Sequence, residues 1–176
     1  MQLSNPYLFL TLGYPGSGKT FFSRKFAQEV SAVYLNSDEF RRHMFKRPKF
    51  STAEHAIVFG AMNHAMEKIL ESGKSVILDA NSNHRVHRRE ARRLANTFHA
   101  DYLLIWIQTP LERAIKRAVK RDAHVKHRPV TASTVRSFAK ILEAPRRTEL
   151  HVIIRGTDSF AKQKERVLRY LKDPRL

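Results

Sequence analysis

Gly13-Tyr14-Pro15-Gly16-Ser17-Gly18-Lys19-Thr20 decides how the rest of this 176-residue chain is read. The octet fits G-x-x-x-x-G-K-[ST] without exception. It stands between an apolar run over 7–12 and a helix-period segment that begins at Lys19, so it reads as a strand-to-helix turn. The glycines let the backbone curl until successive N–H groups face one point, and the following helix adds its partial positive end. Such a nest holds phosphate oxygens, with Pro15 and Ser17 completing the loop. Lys19 reaches the β- and γ-phosphates of a nucleoside triphosphate, and the Thr20 hydroxyl takes a position on Mg2+. The expectation is therefore ATP held with Mg2+; a guanine-selecting Asn-Lys-x-Asp is absent from the sequence, which favours adenine mildly.

Outward from the loop, apolar runs alternate with helix-period segments. Short strands are expected over 7–12, 32–36, 75–79, 102–108 and 150–155, mostly unbroken apolar runs of the kind covered on both faces in a parallel sheet. Helices are expected over 19–30, 53–71, 85–98, 111–121, 134–142 and 160–171. In the second of these, Val58, Met62, Ala65, Met66 and Ile69 form one stripe, with Glu54 and Lys68 off it. This alternation predicts an α/β fold of three layers (α/β/α) around a five-stranded parallel sheet, reached by right-handed crossovers. Segments 47–51 and 122–130, each with a proline and several charges, read as loops. One domain over 1–176 is expected, with a helical lid at about 113–130.

In an open parallel sheet the ligand crevice lies at the carboxyl ends of the strands. The second strand ends in Asn36-Ser37-Asp38-Glu39-Phe40-Arg41, which places Asp38 on the same rim as the loop. A carboxylate there can take the proton of an attacking hydroxyl. It reads equally well as the cap of a helix beginning at Glu39. Arg41, one turn on, is placed to hold an anionic part of an acceptor. The third strand ends in Asp79, a Walker B position that would hold Mg2+, and Asn81 follows on the rim. Beyond the fourth strand, Arg113, Arg117 and Arg121 recur at i, i+4 and i+8, opposite an apolar face of Leu111, Ala114, Ile115 and Ala118. A helix leading into a lid can bring such cations over a transferring phosphoryl group, although a solvated basic face has the same pattern.

The order of these residues resembles the phage-type polynucleotide 5′-kinases over about 8–142, and is similar to the wider group of P-loop kinases that includes zeta toxins and small-molecule phosphotransferases. The resemblance implies the P-loop NTPase fold, Asp38 as general base, Arg41 on a phosphate of the acceptor strand, and Arg117 with Arg121 as lid arginines. No Asp-x-Asp occurs, so a phosphatase half of the bifunctional relatives is not expected.

Charge bears on the acceptor. Lysine and arginine number 33 against 16 acidic residues, a formal net charge of +17, which favours polyanionic partners without choosing a fold. Arg85, Arg88, Arg89, Arg92 and Arg93 fall on one helical stripe opposite Ala91, Leu94 and Phe98, a spacing that can follow phosphates along a strand. The first expectation is thus transfer of the γ-phosphate to the 5′-hydroxyl of RNA or DNA, with Arg41, Asn81, Arg85 and Arg88 on the acceptor. A small-molecule or zeta-toxin-like phosphotransferase is the alternative, and a nucleic-acid-binding ATPase without transfer is a further one. Phe45 and Phe50, flanking Lys46-Arg47-Pro48-Lys49, read as base-stacking or core residues alike, and Trp106 as core.

Composition excludes several classes. The absence of cysteine removes disulfide scaffolds, thiolate metal sites and cysteine nucleophiles. Hydrophobic residues at 42% argue against a disordered chain. His124 and His127 stand three apart beside no acidic ligand and carry no metal reading. Without an apolar run of membrane length, no membrane partner is expected and the compartment expected is the cytoplasm.

Overall fold

The computed structural model describes residues 3–123 and 129–173. Tyr7–Leu12 forms β1, and the phosphate loop leads into α1 (Lys19–Glu29). Then come β2 (Val33–Asn36), α2 (Ser37–Met44), α3 (Thr52–Glu71), β3 (Val76–Asp79) and α4 (Arg85–Thr97). The chain ends with β4 (Asp101–Gln108), α5 (Leu111–Asp122), α6 (Ala132–Ile141), β5 (His151–Arg155) and α7 (Phe160–Lys172). The five strands are all parallel in the order β2-β3-β1-β4-β5, so the expected three-layer P-loop α/β fold is the observed one. Because β1 has β3 on one side and β4 on the other, successive crossovers leave it in opposite directions, and the loop after Leu12 opens at that divide.

Strand alternation fills both layers. Leu8, Leu10, Leu12, Leu78 and Leu104 face α3 and α4, packing with Val58, Met62, Met66, Ala91 and Ala95. Phe9, Ile77, Leu103, Ile105 and Ile107 face α1 and α7, packing with Phe22, Phe26 and Val167. Thr11, the polar residue inside β1, donates its hydroxyl to the Leu78 carbonyl at 3.3 Å, which removes the penalty of burying it. Trp106 is partly buried against the α3–α4 layer, and Phe45 joins the same layer.

Three details differ from the sequence reading. Helix α2 begins at Ser37, because the Asn36 side chain accepts hydrogen bonds from the backbone of Asp38 and Glu39 and acts as its cap. Glu54, expected off the apolar stripe of α3, heads it: the buried set is Glu54, Val58, Met62, Met66 and Leu70. The α4 arginines are not one outward stripe either, since Arg88 is buried beside Ala91 and Ala95. Of the 113–130 lid span, the positions 124–128, which include His124 and His127, lie outside the described residues.

Candidate active site

The phosphate loop is shaped by glycines at positive φ: Gly16 at 81° and Gly18 at 107°. Gly16 also lies directly against α5, where a Cβ would sit 2.1 Å from the Ala114 carbonyl oxygen. Neighbouring groups hold the loop in place. The Thr109 hydroxyl donates to the Ser17 carbonyl at 2.8 Å, and the Tyr14 hydroxyl to the Thr109 carbonyl. Lys19 Nζ folds back onto the Gly13 carbonyl at 2.6 Å. The buried Ser17 Oγ has no partner among the described residues. A loop with an orphaned hydroxyl, a lysine at its mouth and glycines that exclude side chains fits a triphosphate.

Asp79 gathers the polar groups at the tips of β2 and β3. Its Oδ2 accepts from Thr20 Oγ1 at 2.7 Å, from Asn36 Nδ2 at 2.8 Å and from the Tyr34 hydroxyl at 2.9 Å. The Asn36–Asp79 contact follows from the register, because these two residues are direct cross-strand partners. Thr20 and Asp79 supply a hydroxyl and a carboxylate side by side, the oxygen donor set Mg2+ prefers when phosphates complete its shell. Among the described residues there is no cluster of three or more His, Asp and Glu that would hold a metal on its own. Asn36 and Tyr34 were not singled out from sequence. The available signal was an asparagine directly ahead of a helix start, with Tyr34 two residues earlier on the same strand face.

Asp38 is exposed on the rim, and among the described residues its carboxylate has no hydrogen-bond or ion-pair partner. Since Asn36 caps α2, the capping role open to Asp38 in the sequence is already filled. Electrostatics places the other charges within its reach. Burial pushes the Lys19 ammonium below its usual range and Arg121 adds to this, while Asp79 and Asp38 oppose them. Arg121 is held above its ordinary value first by its hydrogen bond to Asp122, with the fields of Asp38 and Asp79 contributing. Lys19, Asp38, Asp79 and Arg121 are thus coupled through their fields.

The remaining expected site residues are dispersed. Arg117 donates to the Gly156 carbonyl at 2.8 Å and braces the turn behind Ser17, so it is committed elsewhere than Arg121. Arg41 is buried between α2 and α3, donating to Glu54 at 3.2 Å, meeting His55 Nδ1 at 2.9 Å and lying over the Phe50 ring. The contacts it makes in the structure are these internal ties, not ones set out toward an acceptor. Arg88 is likewise enclosed, with Glu149 at 2.6 and 3.0 Å and the Ser82 and Asn83 carbonyls at 2.9 and 3.0 Å. Arg85 donates to the Ala144 carbonyl. Asn81 stays exposed on the rim, its side-chain oxygen accepting from Asn83 N at 3.3 Å.

Glu54 also pins segment 49–50 beside α2. Its carboxylate accepts from Lys49 N at 2.7 Å and Phe50 N at 2.6 Å. Burial works to raise its pKa, but these two N–H groups and Arg41 outweigh it and hold the carboxyl below its ordinary 4.5. A depressed folded-state pKa means a contribution complete above the unfolded value and lost as pH falls through the folded one. Glu54→Gln is thus expected to flatten the stability loss seen on acidification below the ordinary carboxyl range, read as thermal midpoint against pH. An unaltered acid limb would rule this account out.

A protein-family model described as an AAA domain matches residues 8–145. The chain is 24% identical over 123 residues to the L-seryl-tRNA(Sec) kinase of Methanococcus maripaludis, covering 67% of this chain and 47% of that protein, so it spans about half the length of this relative. It is 30% identical over 124 residues to the adenylyl-sulfate kinase of Myxococcus xanthus, covering 68% of this chain and 67% of that one. A chain in the solved Pnkp1/Rnl/Hen1 RNA repair complex superposes with a TM-score of 0.69 at 26% identity, over 78% of this chain and 44% of that chain.

Proposed function

The chain belongs to the AAA-domain family of P-loop kinases, and from that premise we propose that it transfers the γ-phosphoryl group of ATP to an alcohol of a small polar acceptor seated beside Asp38. The observation that carries the proposal is the Asp38 carboxylate itself, exposed at the tip of β2, relieved of capping by Asn36 and unpartnered among the described residues.

In the proposed reaction the loop glycines and Lys19 hold the β- and γ-phosphates, and Lys19 exchanges its Gly13 carbonyl for phosphate oxygen. Thr20 and Asp79 would hold Mg2+, which supplies charge neutralisation on the phosphates. Asp38 accepts the acceptor's hydroxyl proton as the new O–P bond forms. The bond from the γ-phosphorus to the β,γ-bridging oxygen breaks, and ADP departs. Arg121 stabilises the equatorial oxygens meanwhile. Arg117 acts indirectly, by keeping the 156 turn against the loop.

A small acceptor is favoured over a strand because three of the arginines expected on a strand are engaged internally, while Arg89, Arg92 and Arg93 of the α4 stripe stay exposed. Arg41 and Arg88 are buried in ion pairs, and Arg85 is on a backbone carbonyl. The likeness to an adenylyl-sulfate kinase points the same way. A second reading, phosphorylation of a polynucleotide 5′-hydroxyl, is supported by the +17 charge and by the likeness to a chain of an RNA repair complex. An ADP-release assay separates the two, using gluconate, adenylyl sulfate and a 5′-hydroxyl oligonucleotide as acceptors. Release with a small acceptor is the expected result. Release with the oligonucleotide alone would transfer the assignment to the second reading, and acceptor-independent hydrolysis would overturn both.

A further inference from the structure

Along the α4 side of the sheet, running down from the rim, α4, the start of β4 and the 143–149 segment border a pocket of about 390 Å3. Tyr102 marks its depth. It is paired in register with Leu8, whereas Leu12, which opens into the loop, is paired with Trp106. Four residues of strand, roughly 13 Å at ~3.3 Å per residue, separate the two levels.

The cavity is walled by five arginines against two glutamates. The glutamates are already engaged: Glu149 by Arg88, and Glu143 by the backbone N–H of Arg85 at 2.6 Å with His84 nearby. Arg88 and Arg85 are saturated by these groups and by backbone carbonyls. The remaining three, Arg89, Arg92 and Arg146, face the same space with no ion-pair partner among the described residues. Lining the cavity with them is Tyr102, only 7% exposed, whose hydroxyl has no hydrogen-bond partner among the described residues. Burial raises the pKa of that hydroxyl and Glu149 raises it further, while Arg88 and Arg92 act in the opposite sense, so it remains a neutral donor within the field of their guanidinium groups. Buried hydroxyls are almost always satisfied, and an orphan beside three unpaired guanidinium groups lacks the same thing they lack.

We propose that this cavity is a second anion site, separate from the phosphotransfer crevice, in which Arg89, Arg92, Arg146 and the Tyr102 hydroxyl hold a small multiply charged phosphoanion such as a diphosphate. Guanidinium groups match phosphate oxygens in pairs, and the hydroxyl donates the remaining bond. The volume lies at the small end of the range for metabolite sites. Arg88 joins the cavity to the crevice, since the guanidinium that closes one wall also holds the carbonyls of Ser82 and Asn83, next to Asn81 on the rim.

Amide and arginine-side-chain 1H–15N spectra recorded with inorganic pyrophosphate test this, because the two sites report through different residues. Shifts are expected at 143–149 and at Nε of Arg89 and Arg92, apart from any at 13–20. The double substitution Arg92→Gln and Arg146→Gln, both at exposed positions, should abolish the first set and leave the second. Tyr102→Phe should weaken the cavity response roughly tenfold, while the thermal midpoint without anion holds or rises, since the lost hydroxyl has no partner among the described residues. ADP acting on 143–149 below the concentration required of pyrophosphate would identify a nucleotide as the source of the diphosphate. Shifts confined to 13–20, cavity shifts that survive the double substitution, or a response only to a 5′-phosphorylated oligonucleotide would each overturn the proposal.

Discussion

Asp38→Ala is expected to lower turnover by ~10²–10⁴-fold, the usual contribution of a general base, while nucleotide affinity changes little. The separation of the two effects follows from geometry. The Asp38 side chain makes no hydrogen bond or ion pair among the described residues, whereas the nucleotide contacts proposed are those of the loop, Lys19, Thr20 and Asp79. Stability should stay within about 0.5 kcal/mol, as for an exposed residue without partners. Asn36→Ala is the contrasting variant, because it removes both the α2 cap and a donor to Asp79, and it should lower the thermal midpoint as well as the rate. Asp38→Ala carries a second signature. The Asp38 carboxylate helps keep Lys19 protonated against burial, so its loss lets the lysine pKa fall further. The alkaline limb of nucleotide binding should accordingly move to lower pH in the variant. Turnover equal to wild type on the true acceptor would remove Asp38 from the chemistry.

What the sequence conveyed, and what it did not, divides along the range of the interactions involved. The phosphate loop is a local device: eight consecutive residues specify the turn, its glycines and its lysine, and the flanking apolar run and helix can be read beside it. Strand order was open in the sequence, but parallel strands covered on both faces were legible in the unbroken apolar runs at β1, β3 and β4. Charges were the opposite case. Whether an arginine faces solvent or is buried depends on a partner remote in sequence, and Arg88 meets Glu149 from 61 residues away. Helical periodicity put Arg88 on an outward stripe because it counts polarity and not pairing. Glu54 was misplaced for the same reason: two backbone N–H groups from the preceding segment and Arg41 satisfy it, so an acidic residue heads a buried stripe. Asp38 is instructive in between. Its capping reading is taken up by a neighbour two residues away, Asn36, whose side chain caps α2, and the general-base reading is the one proposed.

The largest effect on stability and binding together is expected from Gly16→Ala. The added Cβ would lie 2.1 Å from the carbonyl oxygen of Ala114, 2.8 Å from its carbonyl carbon and 3.2 Å from its Cα. These are backbone atoms in the first turn of α5, which cannot rotate aside as a side-chain tip would. The residue also sits at φ 81°, where an L side chain is strained. Strain of ~1–3 kcal/mol and overpacking of ~1–3 kcal/mol add to a loss of about 2–6 kcal/mol. At ~2–4 °C per kcal/mol for a chain of this size, the thermal midpoint should fall by roughly 4–24 °C. The consequence for binding follows from what α5 carries. Pushing the helix away from the loop shifts Arg121 relative to Asp38 and Asp79 and loosens Tyr14 from its cluster with Ile115 and Ala118. Two other glycines separate clash from strain. Gly18→Ala meets only the Gly156 carbonyl oxygen, at 3.9 Å, but stands at φ 107°, so backbone strain alone should act. Gly60, inside α3 with nothing within 4 Å of its Cβ position, should gain ~0.5–1 kcal/mol from the same substitution. The order expected in thermal unfolding is therefore Gly60→Ala above wild type, then Gly18→Ala, then Gly16→Ala. If Gly16→Ala unfolded no earlier than Gly18→Ala, the loop would not be seated against the backbone of α5.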